Sequence, residues 1–219
     1  MKEPYFTLDN IDIQAAEMLT AVKQHTRKST AMTLNPHQAA LLVLDMQRYF
    51  LDETSHAFIP SAPAIIPRIQ SLQSTFINRH LPVIHTRHMN TPQNAGLMNS
   101  WWKELMIETN PLSEITADIQ NNYAAVFIKS QYDAFYKTDL EQWLIGKHIS
   151  QVVITGVMTH LCCETTARSA FMRGFQVFFT VDATATYNRQ FHQASLLNLT
   201  HGFAVPVLCE QLIVIRGEK

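Results

Sequence analysis

Residues 39–45 read AALLVLD, an unbroken apolar run closed by a carboxylate. A strand with one wet face alternates apolar and polar residues. A run of strand length without alternation belongs in a sheet covered on both faces, as parallel sheets are. Working outward, similar runs occur at Val83–Thr86, Ala124–Ile128, Val152–Gly156 and Val177–Val181, with a weaker one at Ala204–Leu208. Between them, helical patterns cover Ala64–Arg79, Asp139–Lys147, Cys162–Arg173 and Phe191–His201. This alternation predicts an α/β fold, a three-layer α/β/α sandwich around a parallel sheet.

Upstream, Ile11, Ala15, Met18, Leu19 and Val22 recur at helical spacing, and polar Lys23–Thr30 reads as the exit of that helix. Residues 1–30 are therefore read as an N-terminal helix and connector, and residues 31–219 as the main domain. Lys and Arg total 17 against 18 for Asp and Glu, so no basic field exists to neutralise phosphates or lipid headgroups. Nucleic acid and membrane partners are disfavoured. The opening segment lacks the apolar core of a secretory signal, and no later run reaches the ~20 residues of a membrane span, so a cytoplasmic location is expected. Cys162, Cys163 and Cys209 are too few for a disulfide framework and lack zinc spacing. No glycine-rich phosphate cradle is present, which disfavours dinucleotide and triphosphate cofactors. The longest irregular stretch, His88 to about Ser100, has the length of a binding loop or lid.

Ligands of open α/β sheets sit beyond the carboxyl ends of the strands, where three polar residues stand out. Asp45 ends LLVLD, Lys129 ends VFIK, and Cys162 opens the helix after the fourth strand. A thiol at a helix amino end is drawn toward thiolate, from about 8.5 to about 3.5–7.5, and a nearby Lys129 acts in the same direction. Asp45 then accepts the thiol proton and returns it to a leaving group. Singly, each residue has an ordinary reading: cysteine as a small buried hydrophobe, aspartate as a turn former, lysine as a solvated charge.

The strings LLVLDMQ, FIKSQYDAFYKTDLEQWL and ITGVMTHLCCETTARSAFMRGF resemble, in order, three signature blocks of the isochorismatase-like cysteine hydrolases. The resemblance spans roughly Ala39 to Val214. It implies a six-stranded parallel sheet and an Asp–Lys–Cys triad mapping onto Asp45, Lys129 and Cys162. It also implies a cis peptide between Val157 and Met158, an oxyanion hole from the N–H groups of Met158 and Cys162, and assembly into homodimers or homotetramers. The apolar face of the N-terminal helix is a candidate surface for that assembly.

Two branches of the family compete for the reaction. One hydrolyses C–N bonds of small amides or imides through a cysteinyl acyl-enzyme; the other cleaves the vinyl ether of isochorismate and carries Gly where Cys162 stands here. The retained cysteine favours amide or imide hydrolysis of a small-molecule substrate, with isochorismate hydrolysis and a non-catalytic ligand-binding role as the alternatives. Nicotinamide-hydrolysing relatives bind a metal through an Asp and several His. Here VIHTRHMNTPQ offers His85 and His88 without an Asp, and Asn90 where a second ligand is expected, so neither metal nor cofactor is expected. Trp101, Trp102, Phe135, Tyr136 and His160 are candidate pocket walls for a flat substrate. Cys163 is read as packing, and Cys209 as inert core in a strand-like tail.

Overall fold

The computed structural model describes residues 1–25 and 33–213, so positions 26–30 of the expected connector lie outside it. The chain opens with α1 (Ile11–Lys23), β1 (Ala39–Leu44), the single turn α2 (Arg48–Leu51) and α3 (Ala62–Asn78). After β2 (Val83–His88) comes a long connection holding α4 (Met98–Trp101) and a 3-10 turn, Pro111–Ser113. Then follow β3 (Ala125–Lys129), α5 (Leu140–Gly146), β4 (Gln151–Val157) and a π-helical turn, Thr159–Cys163. The remaining elements are α6 (Glu164–Met172), β5 (Gln176–Ala185), α7 (Arg189–Gly202), β6 (Val205–Val207) and α8 (Cys209–Ile213). No helix among the described residues is long and apolar enough to cross a membrane.

All six strands are parallel, in the order β3-β2-β1-β4-β5-β6. The chain builds outward from β1 to β3, then restarts beside β1 with β4 and builds the other way. The switch between β1 and β4 opens a crevice at their carboxyl ends, where Asp45 and the π turn emerge. Every residue of β1 and β4 is buried, as unalternating apolar strands with helices on both faces must be. Edge strand β3 differs: Val126 and Ile128 are 54% and 57% exposed, because the β2–β3 connection supplies no helix longer than four residues to cover them.

The face of α1 formed by Ile11, Ala15, Met18, Leu19 and Val22 is buried, packed on β5, β6 and α7 within the main core. That corrects the assembly argument, since the apolar face expected to need a partner is already covered by its own chain. Cys209 heads α8 instead of lying in a strand, and its amide donates to Asp182 Oδ1 on β5 at 2.9 Å.

Gly156 pairs with Leu44 at the switch point and has φ 103°; a Cβ there would lie 2.1 Å from the Leu44 carbonyl oxygen. Gly156→Ala therefore combines a left-handed penalty of about 1–2 kcal/mol with overpacking of about 1–3 kcal/mol. Urea titration should show a loss of at least about 2 kcal/mol; a loss under about 0.5 kcal/mol would contradict this packing.

Candidate active site

The carboxyl ends of β1, β3 and β4 bring the three predicted residues together. Asp45 follows β1 with φ 50°, a left-handed conformation that aspartate tolerates better than most residues. Its Oδ2 lies 2.7 Å from Lys129 Nζ, and both side chains are wholly buried. Asp45 Oδ1 accepts from the Thr86 hydroxyl at 2.7 Å, and the Asp45 amide donates to the same hydroxyl at 3.1 Å.

An ammonium has three protons to give. Lys129 Nζ donates to the Gln131 carbonyl at 2.9 Å and to Cys162 Sγ at 3.4 Å, lies 3.4 Å from His88 Nδ1, and is ion-paired with Asp45. His88 Nε2 is 2.9 Å from Asn90 Oδ1, so its proton sits there and Nδ1 presents a lone pair to the ammonium. Burial, with the ammonium acting in the same direction, lowers His88 to about 4, so the ring is neutral.

Burial alone would raise the Asp45 pKa, but the Lys129 ammonium outweighs it and holds the carboxyl below its ordinary value. Burial likewise opposes the Lys129 charge, and the Asp45 carboxylate overcomes it, so the lysine is held above its usual range. For Cys162 burial dominates, and with the neighbouring carboxylate it pushes the thiol up to about 12 despite Lys129. This reverses the expected thiolate. Cys162 lies within the π turn Thr159–Cys163 that leads directly into α6, so it does sit in the first turn of that helical stretch, and burial outweighs the favourable helix end. Cys163, fully buried, aims its sulfur at the Thr155 carbonyl 4.0 Å away and fills the core. The Val157–Met158 peptide is cis.

Cys162 and Met158 line a largely apolar cavity, walled by Phe50, Met98, Trp102 and Met106 among others. Its volume is about 80 Å³. Of the five expected wall residues only Trp102 lies on it, its indole N–H donating to Tyr132 Oη at 2.8 Å. Trp101 is 77% exposed on α4. Phe135 is buried against Phe175 at 5.9 Å, and Tyr136 is on the surface beneath Lys137. His160 turns from the cavity to Thr186 Oγ1 at 2.6 Å and stacks on Phe191. The wall instead uses Tyr49, His56, Glu104 and Tyr132, which carry no periodic signal, although Tyr49 and Tyr132 fall inside or beside the sequence blocks around Asp45 and Lys129.

The donors do not fit a metal. His85 Nε2 is engaged with Gln73 Oε1 of α3 at 2.7 Å, His88 already faces an ammonium, and among the described residues no group of three or more His, Cys, Asp or Glu could hold a metal ion.

A model of the isochorismatase domain matches residues 39–211. The chain belongs to the isochorismatase family of hydrolases. It is 38% identical to Nicotinamidase 3 of Arabidopsis thaliana over 194 residues, covering 85% of this chain and 94% of that protein. It is 30% identical to enterobactin synthase component B of Escherichia coli (strain K12), over 81% of this chain but 63% of that protein. The fold matches a cysteine hydrolase from Pseudomonas syringae pv. phaseolicola with TM-score 0.80 at 23% identity, covering 86% and 94% of the two chains.

Within this family member, stability from Asp45 is complete above the ordinary carboxylate range and lost as pH falls through its lowered value. Stability from Lys129 is complete below the ordinary lysine range and lost as pH rises through its raised value. Lys129→Met leaves a buried, unpaired carboxylate and should cost about 3–5 kcal/mol at neutral pH. The loss should shrink toward pH 5 as the unpaired carboxyl takes up a proton. Urea titrations at both pH values check this, and an equal loss at each would contradict a charged Asp45.

Proposed function

We propose that this protein hydrolyses the C–N bond of a small neutral amide, with Cys162 as nucleophile. The observation that carries the reading is the thiol at the cavity wall, 3.4 Å from the Lys129 Nζ that pairs with Asp45. An acid-only mechanism on a vinyl ether has no use for a sulfur there. Charge favours the amide as well. Among the described residues no Arg or Lys lines the cavity, and Glu104 adds a carboxylate, which disfavours dianionic isochorismate. The likeness to a protein named Nicotinamidase 3 supports a carboxamide as the substrate.

In this proposal Cys162 Sγ attacks the amide carbonyl carbon while its proton passes to Asp45. A thiol held so high is not ionised beforehand, so bond formation and proton transfer run together. The oxyanion is taken by the N–H groups of Met158 and Cys162. Asp45 gives the proton to the leaving nitrogen, and ammonia departs from an acyl-thioester. Water, losing a proton to Asp45, then attacks the thioester carbonyl, and the released sulfur takes that proton back. Lys129 stays beside the negative charge as it moves between carboxylate and sulfur.

Ammonia release from nicotinamide tests the reading. Cys162→Ala should lose at least about 10³-fold in kcat, whereas Cys163→Ala should stay within about twofold. Equal losses, or a Cys162→Ala protein as active as the wild type, would refute the assigned nucleophile.

A further inference from the structure

Two consecutive residues of the π turn that carries Cys162 face away from the cavity, and both are held through one distant side chain. His160 Nδ1 lies 2.6 Å from Thr186 Oγ1, just after β5. Thr159 is wholly buried and sets its Oγ1 3.2 Å from His192 Nδ1 on α7. Tyr5 joins the two: its Oη accepts from the Thr186 amide at 3.0 Å and lies 2.8 Å from the same His192 Nδ1.

Burial raises the Tyr5 pKa and lowers His192 to about 3, so the phenol keeps its proton and the ring is neutral. Because its oxygen already accepts from Thr186, the phenol gives that proton to Nδ1. Tyr5, Thr159, Thr186 and His192 are all buried. Enclosed polar groups of this kind add little to stability over apolar groups of the same shape, since each bond replaces one to water. What they add is direction, because a satisfied buried network fixes one arrangement of the segments it joins.

Tyr5 is itself pinned on both sides. The Glu3 amide donates to the Tyr187 carbonyl at 2.8 Å, the Glu3 carboxylate accepts from the Arg189 amide at 2.8 Å, and the Phe6 amide donates to Ser61 Oγ at 3.0 Å. Tyr187 lines the cavity together with Cys162, whereas neither Tyr5 nor His192 reaches it.

We propose that Tyr5 and His192 are positioning residues of the hydrolysis, holding Thr159 and His160 so that the Met158 N–H and Cys162 Sγ stay aimed at one substrate carbonyl. The proposal rests on Cys162 as the nucleophile, and it makes the segment ahead of α1 part of the catalytic apparatus.

Ammonia release from nicotinamide, measured where melts show every variant folded, tests this. In Tyr5→Phe, which keeps the ring and loses the hydroxyl, kcat should fall about 10- to 100-fold, the scale of a misplacement near 1 Å, while KM stays within about twofold. His192→Asn keeps an acceptor close to the Nδ1 position, whereas His192→Leu fills more of the space and offers none. Positioning makes the Asn variant the more active of the two; a role in packing alone makes the Leu variant so. A wild-type kcat in Tyr5→Phe, or a Leu variant at least as active as the Asn variant, overturns the proposal and leaves Cys162 as nucleophile. Wild-type protein that releases no ammonia removes the amide reading and this role with it.

Discussion

The site depends on one buried ion pair, Lys129 Nζ to Asp45 Oδ2 at 2.7 Å, formed between two wholly enclosed side chains. Desolvating two charges costs several kcal/mol each, and a hydrophobic pair of equal volume is often no less stable. Such a pair is poor as a device for stability alone. Its effect here is electrostatic: it keeps a carboxylate ionised where burial would neutralise it, within reach of a thiol that burial keeps protonated. A base and an acid with pKa values driven apart in one enclosure are the usual mark of a catalytic centre.

The sheet order makes that pair possible. Because the chain reverses direction of growth between β1 and β4, the ends of these neighbouring strands diverge into a crevice, and Gly156 lets the backbones approach at its base. Lys129 reaches in from the end of β3, two strands away from Asp45, and its stem is buried along the way. Gln47 fastens the surroundings, accepting from the His88 amide at 2.8 Å and donating to the Ser113 carbonyl at 2.7 Å. The long β2–β3 connection is thereby tied to the β1 end of the crevice, and it brings Trp102, Glu104 and Met106 over the thiol.

Much of this was legible in the chain itself. The unalternating run at 39–44 marked a doubly covered strand, and helical spacing placed α1, α3, α5 and α7 within about two residues of their observed ends. The three chemical residues were visible because strand ends are few and polar groups there are conspicuous. What escaped depends on packing between distant segments. Val126 and Ile128 look like core residues until the strand order puts β3 at the edge. Phe135 lies six residues after Lys129 yet faces Phe175, since an aromatic side chain does not declare which face it takes. Rules for helix ends predicted a lowered thiol, and the opposite holds because enclosure by other elements outweighs the local dipole. His56 and Glu104 sit in aperiodic loops, where no spacing betrays a common destination.

The claim on which the account turns is that Cys162 rests as a neutral thiol beside an ionised Asp45. Ultraviolet thiolate absorbance of the wild type, with that of Cys162→Ala subtracted, reads this directly as pH is raised. The account predicts no thiolate signal from Cys162 at neutral pH and its appearance only well above the ordinary cysteine range. A full thiolate signal at neutral pH would contradict it and would place the proton on Asp45 or in solvent before substrate arrives.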